Sequence, residues 1–253
     1  MTAVVDAPQR KHELADALAE VRERIRSACV AAGRRPDGVA LLAVTKTFPA
    51  SDVLLLAELG LTDFAENRDA EAAGKVAEVA AGLSTILSED ALSDPARRLR
   101  WQMVGRLQRN KARSVVHWAA EVQSVDSARL ADALAKAVRN AERAPLDVLV
   151  QASIDADPAR GGCPLPELPA LADAVVGHPE LRLHGVMCVA PMSMPAAAAF
   201  EKLAAVAARL REDHPEASEI SAGMSGDLEA AIGYGSTCVR VGTALLGSRR
   251  LAL

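Results

Sequence analysis

The stretch VALLAVTKT, residues 39–47, decides the fold, because six consecutive apolar residues lead directly into Thr45-Lys46-Thr47. A turn signal, Pro36-Asp37-Gly38, precedes the run. A short apolar run bounded in this way is typical of a strand in a parallel sheet that is covered on both faces. The same kind of run returns along the chain between helix-like segments, which predicts an α/β protein.

Strand-like and helix-like segments alternate through the rest of the sequence. The eight predicted strands are residues 39–44, 63–65, 101–104, 121–124, 146–152, 183–188, 219–221 and 237–241. The predicted helices contain residues 53–59, capped by Ser51, and residues 69–81, 110–120, 127–142, 168–176, 196–211 and 228–233. An extra N-terminal helix at about 9–32, ended by Gly33, is predicted from an apolar stripe at Leu14, Leu18, Val21, Ile25 and Cys29.

The fold class predicted from this pattern is a single (β/α)8 barrel of the TIM type. Eight strands alternating with helices is the count that closes a barrel, and 253 residues is close to the roughly 250 of a typical (β/α)8 domain. An open, doubly wound sheet uses the same order of elements, so the count alone leaves closure undecided. Because no linker interrupts residues 1–253, we expect one domain. Two long polar segments, 82–99 and 157–166, are interpreted as variable surface loops, and the alternative is that they are mobile or functional loops.

Composition and charge exclude several classes of protein. Half of the residues are hydrophobic and only 2% are aromatic, so Ala, Val and Leu must fill the core. The net charge of −4 argues against a general nucleic-acid binder. The four cysteines are far apart in the sequence, as expected of reduced thiols. The five histidines lack metal-ligand spacing, so we expect no metal site and place most of them at the surface or in loops.

The sequence also predicts a location in the cell. No stretch approaches about 18 uninterrupted apolar residues, the length expected of a membrane-spanning helix. The first residues, MTAVVDAPQRKHEL, lack the apolar segment of a signal peptide. We therefore expect a soluble, cytoplasmic protein, and a monomer.

Lys46 is the first candidate for chemistry, because functional side chains of barrels lie just beyond the carboxyl ends of the strands. Partial burial there disfavours the charged form of an amine. The neutral amine is the form that attacks an aldehyde to make a Schiff base. The alternative is a lysine that extends into solvent from a strand end.

The segments after the last two predicted strands are candidates for a phosphate site. Ser225 lies in SAGMSGDLEAA (221–231), while Gly242 and Thr243 lie in VRVGTALLG (239–247). Phosphate sites of barrels are frequently built from these two loops, although Ser225 or Asp227 is equally suited to cap the following helix. Arg240 precedes Gly242 by two residues and suits an anion, a ring nitrogen or an ion pair inside the barrel.

A basic segment, GRLQRNKAR (105–113), is the remaining candidate. A basic run can bind nucleic acid. This one contains no aromatic residue to stack on bases, so we interpret it as a solvated helix start.

Several segments together resemble the pyridoxal phosphate homeostasis protein family (the YggS/PROSC-type proteins), relatives of the alanine racemase barrel. They are LLAVTKTFPASDV (41–53), FAENRDAEAAGK (64–75), WQMVGRLQRNK (101–111), LRLHGVMCVAP (181–191) and SAGMSGDLEAAIGYGSTCVRVGTALLG (221–247). They occur in the family's order and span nearly the whole chain. The resemblance implies a barrel that binds pyridoxal 5′-phosphate (PLP).

The resemblance also implies a role for each matching residue. Lys46 matches the lysine that forms the internal aldimine, and Asn67 matches the asparagine placed near the cofactor. Arg240 matches the arginine that faces the pyridine nitrogen. The residues that match the phosphate cradle are Ser225, Gly242 and Thr243.

Three motifs depart from the family's pattern. Ala65 and Arg68 replace the usual glycine and tyrosine around the Glu-Asn pair, and Gln102 replaces a histidine. Arg160-Gly161-Gly162 stands where Lys-Ser-Gly is common. These departures concern peripheral contacts and any role of a second lysine.

A carrier of PLP is the function that we predict, with no catalysis. An arginine at the ring nitrogen keeps its own proton, so the ring is a weak electron sink. A racemase also needs a second base, and we expect the single tyrosine, Tyr234, at the opposite end of the barrel. The expected role is storage, buffering or delivery of PLP, with PLP-dependent apoenzymes as possible recipients. The alternatives are a small fold-type III racemase and, more distantly, a cofactor-free Schiff-base aldolase.

Overall fold

The computed structural model describes residues 7–86, 94, 98–157 and 160–248. The strands of the main sheet are β1 (Ala40–Val44), β2 (Asp63–Glu66), β3 (Arg100–Met103), β4 (Glu121–Val125), β5 (Leu146–Ser153), β6 (Leu181–Met187), β7 (Glu219–Ser221) and β8 (Cys238–Val241). The helices are α1 (Ala7–Ala31), α2 (Ala50–Glu58), α3 (Asp69–Ile86), α4 (Ala112–Val115), α5 (Ala128–Asn140), α6 (Leu168–Val176), α7 (Ala196–Asp213), α8 (Leu228–Gly233) and α9 (Thr243–Leu246). Short 3₁₀ turns occupy Pro36–Gly38, Arg109–Lys111 and Leu165–Glu167.

The strands form a closed parallel barrel. Each strand pairs with the next one along the chain, and β8 pairs back with β1. The closing pair runs from Ala40 opposite Cys238 to Ala43 opposite Val241. The predicted (β/α)8 barrel is therefore confirmed, and the open doubly wound sheet is excluded. A two-residue strand, Cys163–Pro164, adds to the end of β5 within the segment that we predicted to be a loop.

Helix α1 covers the junction between the first and last parts of the barrel. The five residues of its predicted apolar stripe are buried against α2, α8 and α9. Ion pairs help to fix its orientation, from Arg10 to Asp52 at 2.7 Å, from Lys11 to Glu58 at 2.5 Å and from Arg24 to Glu229 at 2.7 Å. Burial of a leucine contributes about 1.5–3 kcal/mol, more than an exposed ion pair, so the stripe holds the helix.

The core consists mainly of Ala, Val and Leu, as the low aromatic content predicts. One aromatic pair, Phe64 and Trp101, packs with its ring centroids 5.6 Å apart. All four cysteines are buried and free in the structure. In the part of the chain that the structure describes, none of the helices combines the length and the apolar character that crossing a membrane requires.

A chain of hydrogen bonds fills the barrel interior between β3, β4, β7 and β8. The Nε2 of Gln123 donates to Glu121 at 2.9 Å and to Gln102 at 2.7 Å. The hydroxyl of Ser221 donates to Gln123 at 2.7 Å and accepts from Arg240 at 2.7 Å. Polar groups buried in a barrel must find such partners. Gln102, which departs from the family's pattern, is therefore part of this internal network.

Three predicted boundaries are wrong. Ser51 does not cap α2, which begins at Ala50 because Pro49 supplies the extended residue before it. The helix predicted at 110–120 is only a 3₁₀ turn and α4, after which the indole N–H of Trp118 donates to Asp69 at 3.0 Å. Helix α3 continues to Ile86, beyond the predicted residue 81. The rest of the predicted loop at 82–99 lies mostly outside the described residues.

Charged side chains fill the amino-terminal end of the barrel. The ring of His184 lies between Glu121, at 3.6 Å from Nδ1, and Asp147, at 3.3 Å from Nε2. Arg100 approaches both carboxylates at 3.9 and 3.8 Å. Burial, together with repulsion from Glu121, raises the pKa of Glu219 to about 7. His184 is thus half-buried within β6, whereas His12 and His117 are exposed and His178 and His214 lie in loops, so the prediction that most histidines are at the surface or in loops is confirmed.

We predict that the free energy of unfolding falls as the pH rises from about 5 to about 8. Glu219 has a raised pKa in the folded state, and the neighbouring carboxylate of Glu121 raises the pKa of His184. Both groups then bind protons more tightly in the folded state, so their stabilisation is present at low pH and is lost as the pH passes their folded pKa values. Glu219→Gln should remove on the order of 1–2 kcal/mol of this change.

Urea unfolding at a series of pH values between about 5 and 8 measures the free energy of unfolding. The matched control is Glu201→Gln, which alters an exposed glutamate on α7. An equal pH slope in wild type, Glu219→Gln and the control would contradict the assignment.

Candidate functional site

The carboxyl ends of the strands meet at one edge of the barrel, and strand register places the predicted residues there. Val44 on β1 lies opposite Ala65 on β2, so Lys46 and Asn67 each follow the paired residues by two positions. On the other side of β1, β8 ends directly before Gly242. The structure therefore brings these candidates together on the edge where barrel sites occur.

A buried lysine on α3 fixes the residue before Lys46. The Nζ of Lys75 donates to the carbonyl oxygen of Thr45 at 2.8 Å and to Oε1 of Glu66 at 2.6 Å. The hydroxyl of Thr45 donates to the same Glu66 oxygen at 2.7 Å. Lys46 itself is half-buried. The ion pair thus anchors the backbone from which Lys46 extends.

The residue after Lys46 is anchored by the same cluster. Thr47 has a φ of +69°, a left-handed conformation that is uncommon for a β-branched residue. Its backbone N–H donates to Oε1 of Glu71, which also accepts a hydrogen bond from Lys75 at 3.2 Å. The contacts on both sides restrict where the side chain of Lys46 can point.

Glu66 is the electrostatic centre of this cluster. Its side chain is fully buried, and its Oε2 has no hydrogen-bond partner among the described residues. Burial raises the pKa of Glu66, while the hydrogen bonds from Lys75 and Thr45 oppose that shift. An incompletely paired carboxylate of this kind makes the cluster sensitive to the loss of Lys75.

Gly105, which follows β3, accounts for the position of Asn67. A Cβ atom at residue 105 would lie 2.1 Å from the carbonyl oxygen of Asn67 and 2.6 Å from its Oδ1. No side chain fits in that space, so glycine is required for this close approach. The loops after β2 and β3 therefore hold Asn67 at the edge.

The loops after β7 and β8 are in contact, as a shared phosphate site requires. The hydroxyl oxygen of Ser225 accepts a hydrogen bond from the backbone N–H of Ala244 at 3.2 Å. Neither Ser225 nor Asp227 makes a capping bond to α8, so the interpretation as a simple capped turn is wrong. Gly242 abuts the carbonyl oxygen of Val44, and Thr243 is exposed at the start of α9.

Arg240 lies below this edge, inside the barrel. Its side chain is only 5% exposed, and its Nη1 and Nη2 donate to Ser221 at 2.7 Å and to the carbonyl oxygen of Cys188 at 2.6 Å. Burial lowers the pKa of Arg240. No ion pair holds it in the described ranges, so the alternative of an internal ion pair is wrong. Its Nε makes no hydrogen bond to a described residue and is available to a ligand.

The sequence did not single out three residues that shape this site. Glu66 and Lys75 lie within the quoted segment 64–75. Because they are separated in the sequence, the sequence does not show that their side chains meet next to the backbone of Lys46. Ser221 ends a short strand, and only the closed barrel brings it to Arg240. The one sequence feature that could have pointed to Glu66 is its position as a charged residue at the end of an apolar strand.

Tyr234 lies away from these residues, in agreement with the prediction. It follows α8 and precedes β8, so it belongs to the amino-terminal end of the barrel, and its side chain is 38% exposed. Lys46 and Tyr234 therefore lie at opposite ends.

The chain is similar to known proteins both in sequence and in structure. The profile of the alanine racemase N-terminal domain family matches residues 9–250. The chain is 44% identical over 255 positions to the pyridoxal phosphate homeostasis protein of Mycobacterium tuberculosis, covering 96% of each chain. It is 36% identical over 241 positions to the protein of that name from Escherichia coli K12, covering 94% and 97%. The structure of PipY from Synechococcus elongatus with PLP bound matches with a TM-score of 0.75, at 30% identity, over 92% of this chain and 100% of PipY.

We predict that Lys75→Met destabilises the protein by about 3–5 kcal/mol, because it leaves Glu66 buried without its cation. The double variant Glu66→Gln/Lys75→Met should recover a large part of that loss. Urea unfolding measures both, and hydrogen exchange at the Thr47 amide should be faster in the single variant. The account of this cluster fails if the two substitutions are additive and Thr47 exchange is unchanged.

Proposed function

Because the chain belongs to the pyridoxal phosphate homeostasis protein family, we propose that it holds PLP as a Schiff base on Lys46. We propose further that residues 1–253 act as one cofactor-binding domain in the cytoplasm. In this proposal the protein stores, buffers or delivers PLP and does not transform a substrate. The observation that carries it is the convergence of Lys46, Asn67 and the two small-residue loops on one edge, above Arg240.

The residues at this edge fit each part of the cofactor. Lys46 offers a half-buried amine for the aldehyde. Ser225 and Thr243 offer hydroxyl groups for the phosphate, and Gly242 lets the backbone of β8 approach without a side chain. Arg240 offers its Nε to the pyridine nitrogen. The sites that the resemblance implied are thus compatible with the geometry.

The protein's own residues present the amine. Lys46 would hold PLP through its amine, and the cofactor would supply an aldehyde able to condense with that amine with release of water. The bonds of Lys75 to Thr45 and of Glu71 to Thr47 fix the backbone on both sides of this amine. Such anchoring lowers the entropic cost of placing the reacting atom.

Arg240 favours storage over catalysis. A guanidinium keeps its proton even where burial lowers its pKa, so it donates to the ring nitrogen and does not protonate it. Its Nη1 and Nη2 donate to Ser221 and to the Cys188 carbonyl, both uncharged. A ring without a protonated nitrogen is a weak electron sink, which suits a carrier.

The position of Tyr234 also supports a carrier. A racemase requires a base on each face of its substrate, and Lys46 provides one. Tyr234, the only tyrosine in the sequence, belongs to the opposite end of the barrel. A small fold-type III racemase, the alternative, would have to recruit another base.

We predict that purified protein mixed with PLP shows an absorption band in the visible or near-visible region that borohydride removes. Lys46→Ala should lack the band, and peptide mapping after reduction should place the adduct on Lys46. Lys136→Ala, at an exposed lysine on α5, is the matched control and should keep the band. A full band in Lys46→Ala would exclude the proposed attachment site.

We predict no appreciable exchange of the Cα proton when PLP-loaded protein is incubated with amino acids in deuterium oxide. The reason is the weak electron sink and the missing second base. Mass spectrometry of the recovered amino acids measures the exchange, with heat-denatured protein as the control. Exchange at the rate of an enzyme, abolished in Lys46→Ala, would favour the racemase.

A further inference from the structure

A second concave feature opens beside Asn67, where β2, β3 and β4 end. It has a volume of about 1150 Å³, and we call it the basic groove. The cationic residues that line it are Arg68, Arg106, Arg109, Lys111 and Arg129. Its acidic lining residues are Asp69 and Asp126. The proposed function gives no role to these cations, three of which belong to the basic segment 105–113.

The five cations are exposed, and within the described ranges their side chains make neither a hydrogen bond nor an ion pair. Arg68 is attracted to Glu71 without forming an ion pair with it. The two carboxylates, in contrast, accept hydrogen bonds, Asp69 from Trp118 at 3.0 Å and Asp126 from Ser127 at 3.1 Å. An acidic protein that gathers five exposed cations in one groove creates a local positive potential there, which attracts an anionic partner.

The chemistry of the groove favours a carboxylate partner over a nucleic acid. Four of the five cations are arginines, whose planar guanidinium groups match carboxylates in bidentate geometry. Among the described lining residues none is aromatic, so bases have nothing on which to stack. Buried apolar residues lie between the cations, namely Met103, Leu107 and Leu130. These apolar residues suit a partner segment in which apolar side chains alternate with acidic ones.

We propose that the basic groove docks an acidic segment of a partner protein, one in which glutamate or aspartate alternates with apolar residues. This inference rests on the proposed function, because a carrier that delivers PLP must approach its recipient. Asn67 lines the groove and also lies at the edge that carries Lys46. A partner docked in the groove is thereby placed next to the reactive lysine.

The test uses a fluorescent peptide of alternating glutamate and leucine as the probe. Fluorescence anisotropy at low salt measures its binding to the full-length protein. The variant Arg106→Gln/Arg109→Gln/Lys111→Gln should bind about tenfold more weakly or worse, because it removes three of the charges that attract the acidic peptide. The matched control, Lys136→Gln/Lys202→Gln/Arg211→Gln, removes the same charge from exposed positions on α5 and α7 and should bind within about twofold of wild type.

Several results would overturn the proposal. They are no binding by wild type, equal binding by wild type and the groove variant, or an equal loss in the control variant. Displacement of the peptide by inorganic phosphate at matched ionic strength would assign the groove to a small anion. Tighter binding of a single-stranded RNA than of the peptide, lost in the groove variant, would assign it to nucleic acid.

The same samples distinguish this inference from the proposed function. The absorbance of the Lys46 adduct is recorded for wild type and both variants after PLP is added. The band should be present in all three, since the altered groove residues are not those proposed to hold the cofactor. Absence of the band in wild type would reject the proposed function. A full band with binding that does not depend on the groove would reject only the docking inference.

Discussion

The pairing of β1 with β8 is the constraint on which the rest of the structure depends, because it closes the barrel and fixes the register of the site. Leu42 opposite Arg240 places the guanidinium on the strand next to the one that leads to Lys46. The same register brings Gly242 against the carbonyl oxygen of Val44. A shift of one residue would turn Arg240 from the barrel interior to the outer layer. Helix α1 stabilises this junction by packing across α2, α8 and α9.

Two buried polar systems support the site from different directions. Under Lys46, the Lys75–Glu66 pair ties the loop after β1 to β2 and α3. Inside the barrel, the chain from Glu121 through Gln123 and Ser221 holds Arg240 without placing a carboxylate beside it. The first system explains how a lysine on a loop is held in place, and the second explains how an arginine stays buried with neutral partners.

Much of the fold, and the edge of the barrel on which the candidate residues lie, could be predicted from sequence for local reasons. The apolar runs predicted the eight strands, and its position just beyond a strand end made Lys46 a candidate, since both signals lie within a few residues. Contacts between distant segments could not be predicted in the same way. The spacing between Glu66 and Lys75 does not show that they meet under Thr45, and the helix predicted at 110–120 shortens to α4 because Trp118 turns inward to Asp69. Ser51 resembles a cap in sequence, but Pro49 already sets the start of α2.

A crystal structure of the protein soaked with PLP tests the central claim most directly. The account predicts continuous density from the Nζ of Lys46 into the cofactor, with the phosphate between the loops of Ser225 and Thr243. It also predicts the pyridine nitrogen within hydrogen-bond distance of Arg240. Density attached to another lysine, or a ring nitrogen that faces a carboxylate, would contradict the account.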